Sequence, residues 1–532
     1  MPTSFNFFGS AMSEARYAIL IAGLITLFVI YRSVRRSSAI RQIKCPPSPS
    51  WLFGNMQQLL LPPYGRYEFD WQKTYGPIYR VKGCFGQDRL MISDPVALQY
   101  ILNSPQFKIG PGLLNLAVVV YGKGSMICVD NEQDHKRIRT ALNIGFTAGA
   151  IRNYIPIFEK AAQMISEQLE DSSSVPTNVS PILSHATLGT MSGAALGYSL
   201  DDLGEEFISN NIQIMGLAGA RSPMSLLADA ISSRMPTFLA RAVIHLPTPT
   251  FKAVRRAQHL ADELGSRVIR EKKTAVRQGL EVDTNIYGRL LQPRHESTTT
   301  KHTITESEIV AQTAIIMVAG QDTTANTTCF ALLELARAPD FQEKLRAEIH
   351  ATMGSVRTSG AAYDSMPLLN ALIKETLRLY PAEAITERVA VEDALIPLSD
   401  GITTSKGKLI SHLPVRKGQI VNLGIASYQR LESRWGDDAH EFKPSRWLDG
   451  EAVKGEAVGP YANLLSFLGG PRTCLGWRFA VLEMQVFLCE LVSKFSFALP
   501  AEGAPRTSFA GTLQPTMPNG QKGALVLVER VI

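Results

Sequence analysis

Cys474 stands in the run Phe467-Leu468-Gly469-Gly470-Pro471-Arg472-Thr473-Cys474-Leu475-Gly476, ahead of an apolar-periodic stretch that predicts a helix from about Trp477 to Phe495. A thiol at a helix N-terminus, two residues from Arg472, meets the positive end of the helix dipole and a cation, and both favour the thiolate. Gly469 and Gly470 allow the tight turn that aims the sulfur, and Gly476 removes a side chain where a flat ligand would approach the helix. A thiolate presented in this way is a soft, strongly donating metal ligand. The plain alternative is a buried structural cysteine, the usual fate of this residue. Cys45, Cys84, Cys128, Cys329 and Cys489 lie far apart with no CxxC pair, which argues against a disulfide framework and against a zinc ribbon.

Two further groups break the local rules of their elements. Glu375 and Arg378 share one face of an otherwise apolar helix that begins near Pro367, where an isolated ion pair would be a poor return on its desolvation, so a third partner is expected. A surface pair is the bland reading. The best single helix runs from about Thr305 to Ala338, opened by the capping box Thr305-Glu306-Ser307-Glu308 and ended by Pro339. Its run Ala314 to Ala319 is apolar on every face, as in a helix crossing the core. Gly320-Gln321-Asp322-Thr323-Thr324 then places a weak helix former and competing hydroxyls in the middle, which predicts a distorted turn able to pass protons, or a helix bent by its own hydroxyls.

The loop Phe467 to Gly476 carries F-x-x-G-x-R-x-C-x-G at all its fixed positions, and the chain resembles the cytochrome P-450 superfamily. Glu375-Thr376-Leu377-Arg378 is similar to that family's E-x-x-R. Pro444-Ser445-Arg446-Trp447 is similar to its P-E-R-F with Arg446 kept, and Ala319 to Thr324 to its A-G-x-D-T-T. The resemblance implies haem b with Cys474 as axial iron ligand, Phe467 packed near the sulfur, and Gly470 and Gly476 shaping the cofactor loop. Arg472, Arg388, Arg139 and His135 would meet haem propionates, His135 standing where the family has Trp. Asp322 and Thr323 would deliver protons, while Glu375, Arg378 and Arg446 would be structural. It implies a monooxygenase fed with electrons from NADPH through NADPH-cytochrome P-450 reductase, with cytochrome b5 as a further donor, acting with O2 on a lipophilic small molecule. Fungal members, many of which oxidise terpenoids or other secondary metabolites, are the most similar in texture. A haem-thiolate isomerase or dehydratase, and a non-catalytic haem-binding or sensing protein, are the rivals; neither has a use for Asp322 and Thr323. Lys108 to Gly124, Ile315 to Thr323, Pro381 to Thr386 and Gly511 to Pro515 match the family's pocket walls.

These groups need a scaffold of mostly helical pattern, with strand-like alternation only near Ile78 to Val81, Leu90 to Ile92, Gln419 to Leu423 and Ala524 to Val528. The expected architecture is therefore mainly α with a small β-sheet, one helix-rich catalytic domain over residues 51–532. Among 532 residues, 54 Lys and Arg against 48 Asp and Glu leave a net charge of +6, too dilute for a nucleic-acid partner. Tyr17 to Tyr31 is fifteen residues without a charge, about 22 Å as a helix against a hydrocarbon core of about 30 Å. With Arg16 and Arg32 snorkelling, it is expected to be a single transmembrane anchor. Arg32, Arg35, Arg36, Arg41 and Lys44 follow it, which favours an anchor over a cleaved signal peptide and keeps the body in the cytosol. Residues 1–16 would be lumenal, residues 32–50 a basic and proline-rich linker clear of the body, and the endoplasmic reticulum the membrane.

Overall fold

The computed structural model describes residues 40–61, 63–170, 175–219, 221–280, 284–292, 304–353, 360–448, 457–501, 503 and 505–531. The expected anchor at 17–31 and the lumenal segment 1–16 lie outside the described residues, among which no helix is long and apolar enough to cross a membrane.

The main sheet joins β1 (Ile78–Lys82), β2 (Asp88–Ile92), β3 (Phe107–Ile109), β4 (Ile385–Ala390) and β5 (Ile420–Gly424) in the order β1-β2-β5-β4-β3. β2 runs parallel to β5, Leu90 facing Val421, and the other pairings are antiparallel, with Ile385 opposite Gly424. Strands from the two ends of the chain thus share one sheet, and β5 is buried along its whole length, as its unbroken apolar character requires. Leu525–Arg530 pairs antiparallel with Phe495–Ala498 in a separate small sheet.

The rest is helical, and five helices position the candidate groups: α1 (Glu132–Leu142), α2 (Val179–Ala195), α3 (Thr313–Arg337), α4 (Pro367–Leu379) and α5 (Trp477–Lys494). α2, α3 and α5 are buried on nearly all faces in one large core, with Phe158, Met317, Leu332, Leu372 and Phe487 among its members. α3 is the core-crossing helix, but its course differs from expectation in two ways. The segment from Thr305 breaks at Ala311 and Gln312, between a capped turn at Glu306–Val310 and α3. Gln312 is the cause: its fully buried amide donates to Gly124 O at 2.9 Å and accepts from Met126 N at 2.8 Å, tying this point to the preceding loop. By contrast, no break occurs at Gly320 to Thr324. A Cβ on Gly320 would lie 2.4 Å from Met191 Sδ, so glycine there lets α2 approach α3, while Thr323, Thr327 and Thr328 bond back to carbonyls one turn earlier. Pro339 ends α3 by opening the next helix, Pro339–Met353.

The proline-rich segment is not a free linker. Ile40 and Ile43 are buried with Ile78, Leu90 and Val421, Lys44 O accepts from Arg80 N at 2.8 Å, and Gln42 O accepts from Ser405 N at 2.7 Å. The folded body therefore begins by Ile40 and not at residue 51, because two isoleucines spaced three apart find apolar surface beneath the sheet.

α4 carries the charged network. Arg378 is fully buried and uses all five N–H donors: two on the Glu375 carboxylate at 2.8 Å, and one each on Gln429 O, Ala439 O and Glu441 O at 2.9, 2.5 and 2.8 Å. The third partner is Arg446, whose Nε lies 3.0 Å from Glu375 Oε1, and Lys443 N and Trp447 Nε1 complete the shell at 2.8 and 2.9 Å. Burial alone would raise the Glu375 pKa, but the hydrogen bonds and charges of Arg378 and Arg446 hold it below the ordinary carboxylate value.

Two outcomes follow. Deletion of residues 1–39 should leave a folded body, whereas deletion of 1–44 strips Ile40 and Ile43 and should cost about 1.5–3 kcal/mol for each; equal melting temperatures for the two proteins would place the boundary back at residue 51. Arg378→Ala leaves Glu375 buried without its main partner, at about 3–5 kcal/mol. Expression of that variant should yield aggregate or little soluble protein, and a soluble, normally melting Arg378→Ala protein would contradict the network's importance.

Candidate haem-thiolate site

The Cys474 loop is held from beneath. Leu468 and Gly470 take left-handed backbone with φ of 56° and 66°, and a Cβ on Gly470 would lie 2.3 Å from Leu102 O, so only glycine fits there. Thr473 Oγ donates to Gly470 O at 2.7 Å, and Cys474 N donates to Phe467 O at 2.8 Å, which closes the loop and brings buried Phe467 under the cysteine. Phe467 in turn meets Tyr461 edge-on and lies beside Trp477. The loop thus presents the sulfur just ahead of α5, and Cys474 is the only exposed cysteine of the six.

Although accessible, Cys474 lies deep within the protein, and desolvation there pushes its thiol pKa up, opposed by the Gly476 backbone N–H and the charge of Arg139. Arg472 is not the cation that acts on the sulfur, because its guanidinium turns to Val129 O at 2.8 Å and Met126 O at 3.5 Å.

α1 brings His135 and Arg139 to one face, one turn apart. His135 is buried, and desolvation together with Arg472 and Arg139 lowers its pKa to about 4, so the ring is neutral. Arg388 comes from β4, buried, its Nη1 donating to Thr386 Oγ at 3.2 Å and Glu387 O at 3.0 Å. Desolvation lowers the pKa of Arg139, Arg388 and Arg472 alike, and none of the three forms an ion pair among the described residues. Three poorly solvated guanidiniums with no carboxylate in salt-bridge contact among the described residues, around an exposed thiol, fit a dianionic iron porphyrin. Gly476 fits it too: a Cβ there would find only Phe146, at 3.7 Å, so this face of the loop stays open to a flat group. Ala319 is exposed despite its place midway along α3, and Thr323, one turn on, is half-buried with its Oγ donating to Ala319 O at 2.7 Å.

Asp322 faces elsewhere. Its carboxylate lies 2.7 Å from Lys522 Nζ and accepts from Ser184 Oγ at 3.1 Å, so the two residues read as a proton-delivering pair point to different sides of α3. Glu375, Arg378 and Arg446 form their own cluster under the loop. Two ionisable residues escaped the sequence reading. Glu483 is fully buried on α5, bonded by Thr190 Oγ and with its pKa raised to about 8 by desolvation; a lone carboxylate in the run Phe479 to Cys489 was the available signal. Glu383, between α4 and β4, is the other: desolvation raises its pKa, opposed by a hydrogen bond from Thr386 and the charge of Arg388.

The family model for Cytochrome P450 matches residues 45–522. Cytochrome P450 monooxygenase 91 of Postia placenta is 30% identical over 514 residues, covering 91% of this chain and 93% of the relative. Cytochrome P450 monooxygenase claU of Ampulloclitocybe clavipes is 30% identical over 561 residues, covering 98% and 99%. With a thiol loop, a buried E-x-x-R network and a family match spanning nearly the whole described body, this chain belongs to the cytochrome P450 family of oxygen-incorporating oxidoreductases.

Proposed function

We propose that the chain is a haem-thiolate monooxygenase that places one oxygen atom of O2 into a lipophilic, terpenoid-like small molecule in fungal secondary metabolism. Haem b would be held by Cys474, with electrons drawn from NADPH through NADPH-cytochrome P-450 reductase and cytochrome b5 as a further donor. The observation that carries this reading is the exposed Cys474 thiol among three guanidiniums that form no salt bridge among the described residues. The fungal relatives, named as monooxygenases, support the reaction class. When bound, the haem supplies dioxygen activation and one-electron chemistry.

The chain's own residues supply the remainder. Cys474 donates its sulfur electrons, and the loop closed by Phe467 O fixes the direction of that sulfur. Arg139, Arg388 and Arg472 would hold the two haem propionates, with neutral His135 as an uncharged hydrogen-bonding group beside them. Thr323 Oγ holds the proton nearest the reacting atoms, and Asp322, tied to Lys522 and Ser184, links that turn of α3 to solvent. Half-buried Leu113, Leu114, Ile315, Ile316 and Ile385 and buried Val118 and Leu513 lie in the segments read as pocket walls and offer apolar surface to the substrate, and Leu116 is exposed at their edge. A span at residues 17–31 would hold this body, facing the cytosol, on the endoplasmic reticulum.

Thr323→Ala tests the proton assignment. The variant should keep haem and still consume NADPH with a reductase, but with a substrate found by spin-state screening its peroxide yield per NADPH should rise several-fold as product falls, with Asp322→Asn slowing turnover as well. Unchanged coupling in Thr323→Ala would move the proton route away from this hydroxyl.

A further inference from the structure

We infer that Gln312 is a positioning residue for the cofactor: by clamping residues 124–129 against the start of α3, it keeps Arg472 of the cysteine loop and His135 and Arg139 of α1 in fixed relation for the haem carboxylates. This role rests on the haem-thiolate reading of Cys474 and adds to it the side chain that assembles the cations.

Gln312 lies just ahead of α3, wholly withdrawn from water, and both polar atoms of its amide are used. Its Oε1 accepts from Met126 N at 2.8 Å, and its Nε2 donates to Gly124 O at 2.9 Å and to Glu308 O at 2.8 Å. Two of the three bonds thus fall on one short stretch of the loop ahead of α1. The contact is close as well as bonded, since a Cβ on Gly124 would lie 2.7 Å from Ala311 Cβ. A second tie runs beside it: Arg137 on α1 meets the Glu308 carboxylate, Nη2 to Oε1 at 2.5 Å and Nη1 to Oε2 at 3.1 Å.

The clamped loop meets the cysteine loop through its other backbone groups. Arg472 Nη2 donates to Val129 O at 2.8 Å, and its Nη1 lies 3.5 Å from Met126 O, so Met126 gives its N–H to Gln312 and turns its carbonyl toward Arg472. α1 begins at Glu132, three residues after Val129, and is capped by Asn131 Oδ1, which accepts from Gln133 N at 2.9 Å. It carries His135 and Arg139. Arg139 and Arg472 have like charge, and both depress the His135 pKa. Hydrogen bonds fixed beforehand oppose their repulsion and leave less freedom to be lost when carboxylates bind. The competing role is a simple stop between two helical segments, and for that role the spacing of Gly124 from Ala311 is immaterial.

The experiment uses the full chain as wild type, Gln312→Met, Gly124→Ala, and Gly124→Ala combined with Ala311→Gly, which restores the room taken by the new methyl group. Melting temperature and the reduced carbon-monoxide spectrum are measured first, then haem release into excess apomyoglobin and tryptic cleavage after Lys123, an exposed site beside the clamp. Gln312→Met and Gly124→Ala should keep the thiolate-type spectrum but release haem about ten-fold faster, the effect of a buried hydrogen-bonding group left unmet. Both should also be cut sooner after Lys123, and the double variant should return to wild-type release and cleavage. Unchanged release in Gly124→Ala or in a folded Gln312→Met overturns the inference, as does a double variant that fails to recover. Release that only follows a lowered melting temperature overturns it too, since Gln312 then serves the fold alone. If Gln312→Met does not fold, Gly124→Ala and its double variant decide. A wild-type protein without a thiolate-type spectrum would instead remove the underlying haem reading, an outcome visible before any release is measured.

Discussion

Arg378 and Glu375 are both withdrawn from water, and a pair of charges in that position is stable only if every remaining donor and lone pair is met. Meeting them gathers distant parts of the chain. Arg378 takes the carbonyls of Gln429, Ala439 and Glu441, and Glu375 takes Arg446, Trp447 and the Lys443 backbone. Gln429, fully buried, then returns its own amide to Leu377 O and Arg378 O and accepts from Leu465 N and Ser466 Oγ. Ser466 precedes Phe467, whose carbonyl closes the Cys474 loop. A continuous series of hydrogen bonds thus runs from the ion pair on α4 to the thiol loop, and the direction of the sulfur depends on it.

Such a network need not add net stability, because apolar side chains of equal volume could fill the same space. Its value lies in register. The carbonyls at Gln429, Ala439 and Glu441 meet three of the guanidinium's five fixed N–H directions, Glu375 taking the other two, in one arrangement only, so a long irregular segment with little regular structure of its own acquires a single path. The indole of Trp447 adds a donor to Glu375, and the Trp435 ring packs against Arg378 at 5.2 Å from the guanidinium carbon. Above this base the site has the opposite character: cations that form no salt bridge among the described residues, and an exposed thiol.

What could be read from the sequence was whatever sits close together along the chain. The Cys474 loop, Glu375 with Arg378, the capping box at Thr305 and the main helices all follow from local spacing, and Arg446 was reachable because Pro444 stands beside it. The role of Gln429 was not legible, since an isolated glutamine carries no pattern until α4 and the loop meet across it. The same holds for Gln312, which interrupts a helix through a partner more than 180 residues away, and for Lys522, which draws Asp322 away from Thr323. Gly320 looked like a break because propensity counts only the backbone, whereas the tight contact with α2 is tertiary. Ile40 and Ile43 were hidden by neighbouring prolines and charges that suggested a linker.

The central claim is that one sulfur, presented by this network, binds the iron. Reduced carbon-monoxide spectra of the full chain with Cys474→Ser, set beside single Ser replacements at Cys45, Cys84, Cys128, Cys329 and Cys489, test it most directly. The thiolate-type band should vanish in Cys474→Ser and persist in the other five; a thiolate-type band that survives Cys474→Ser would contradict the account.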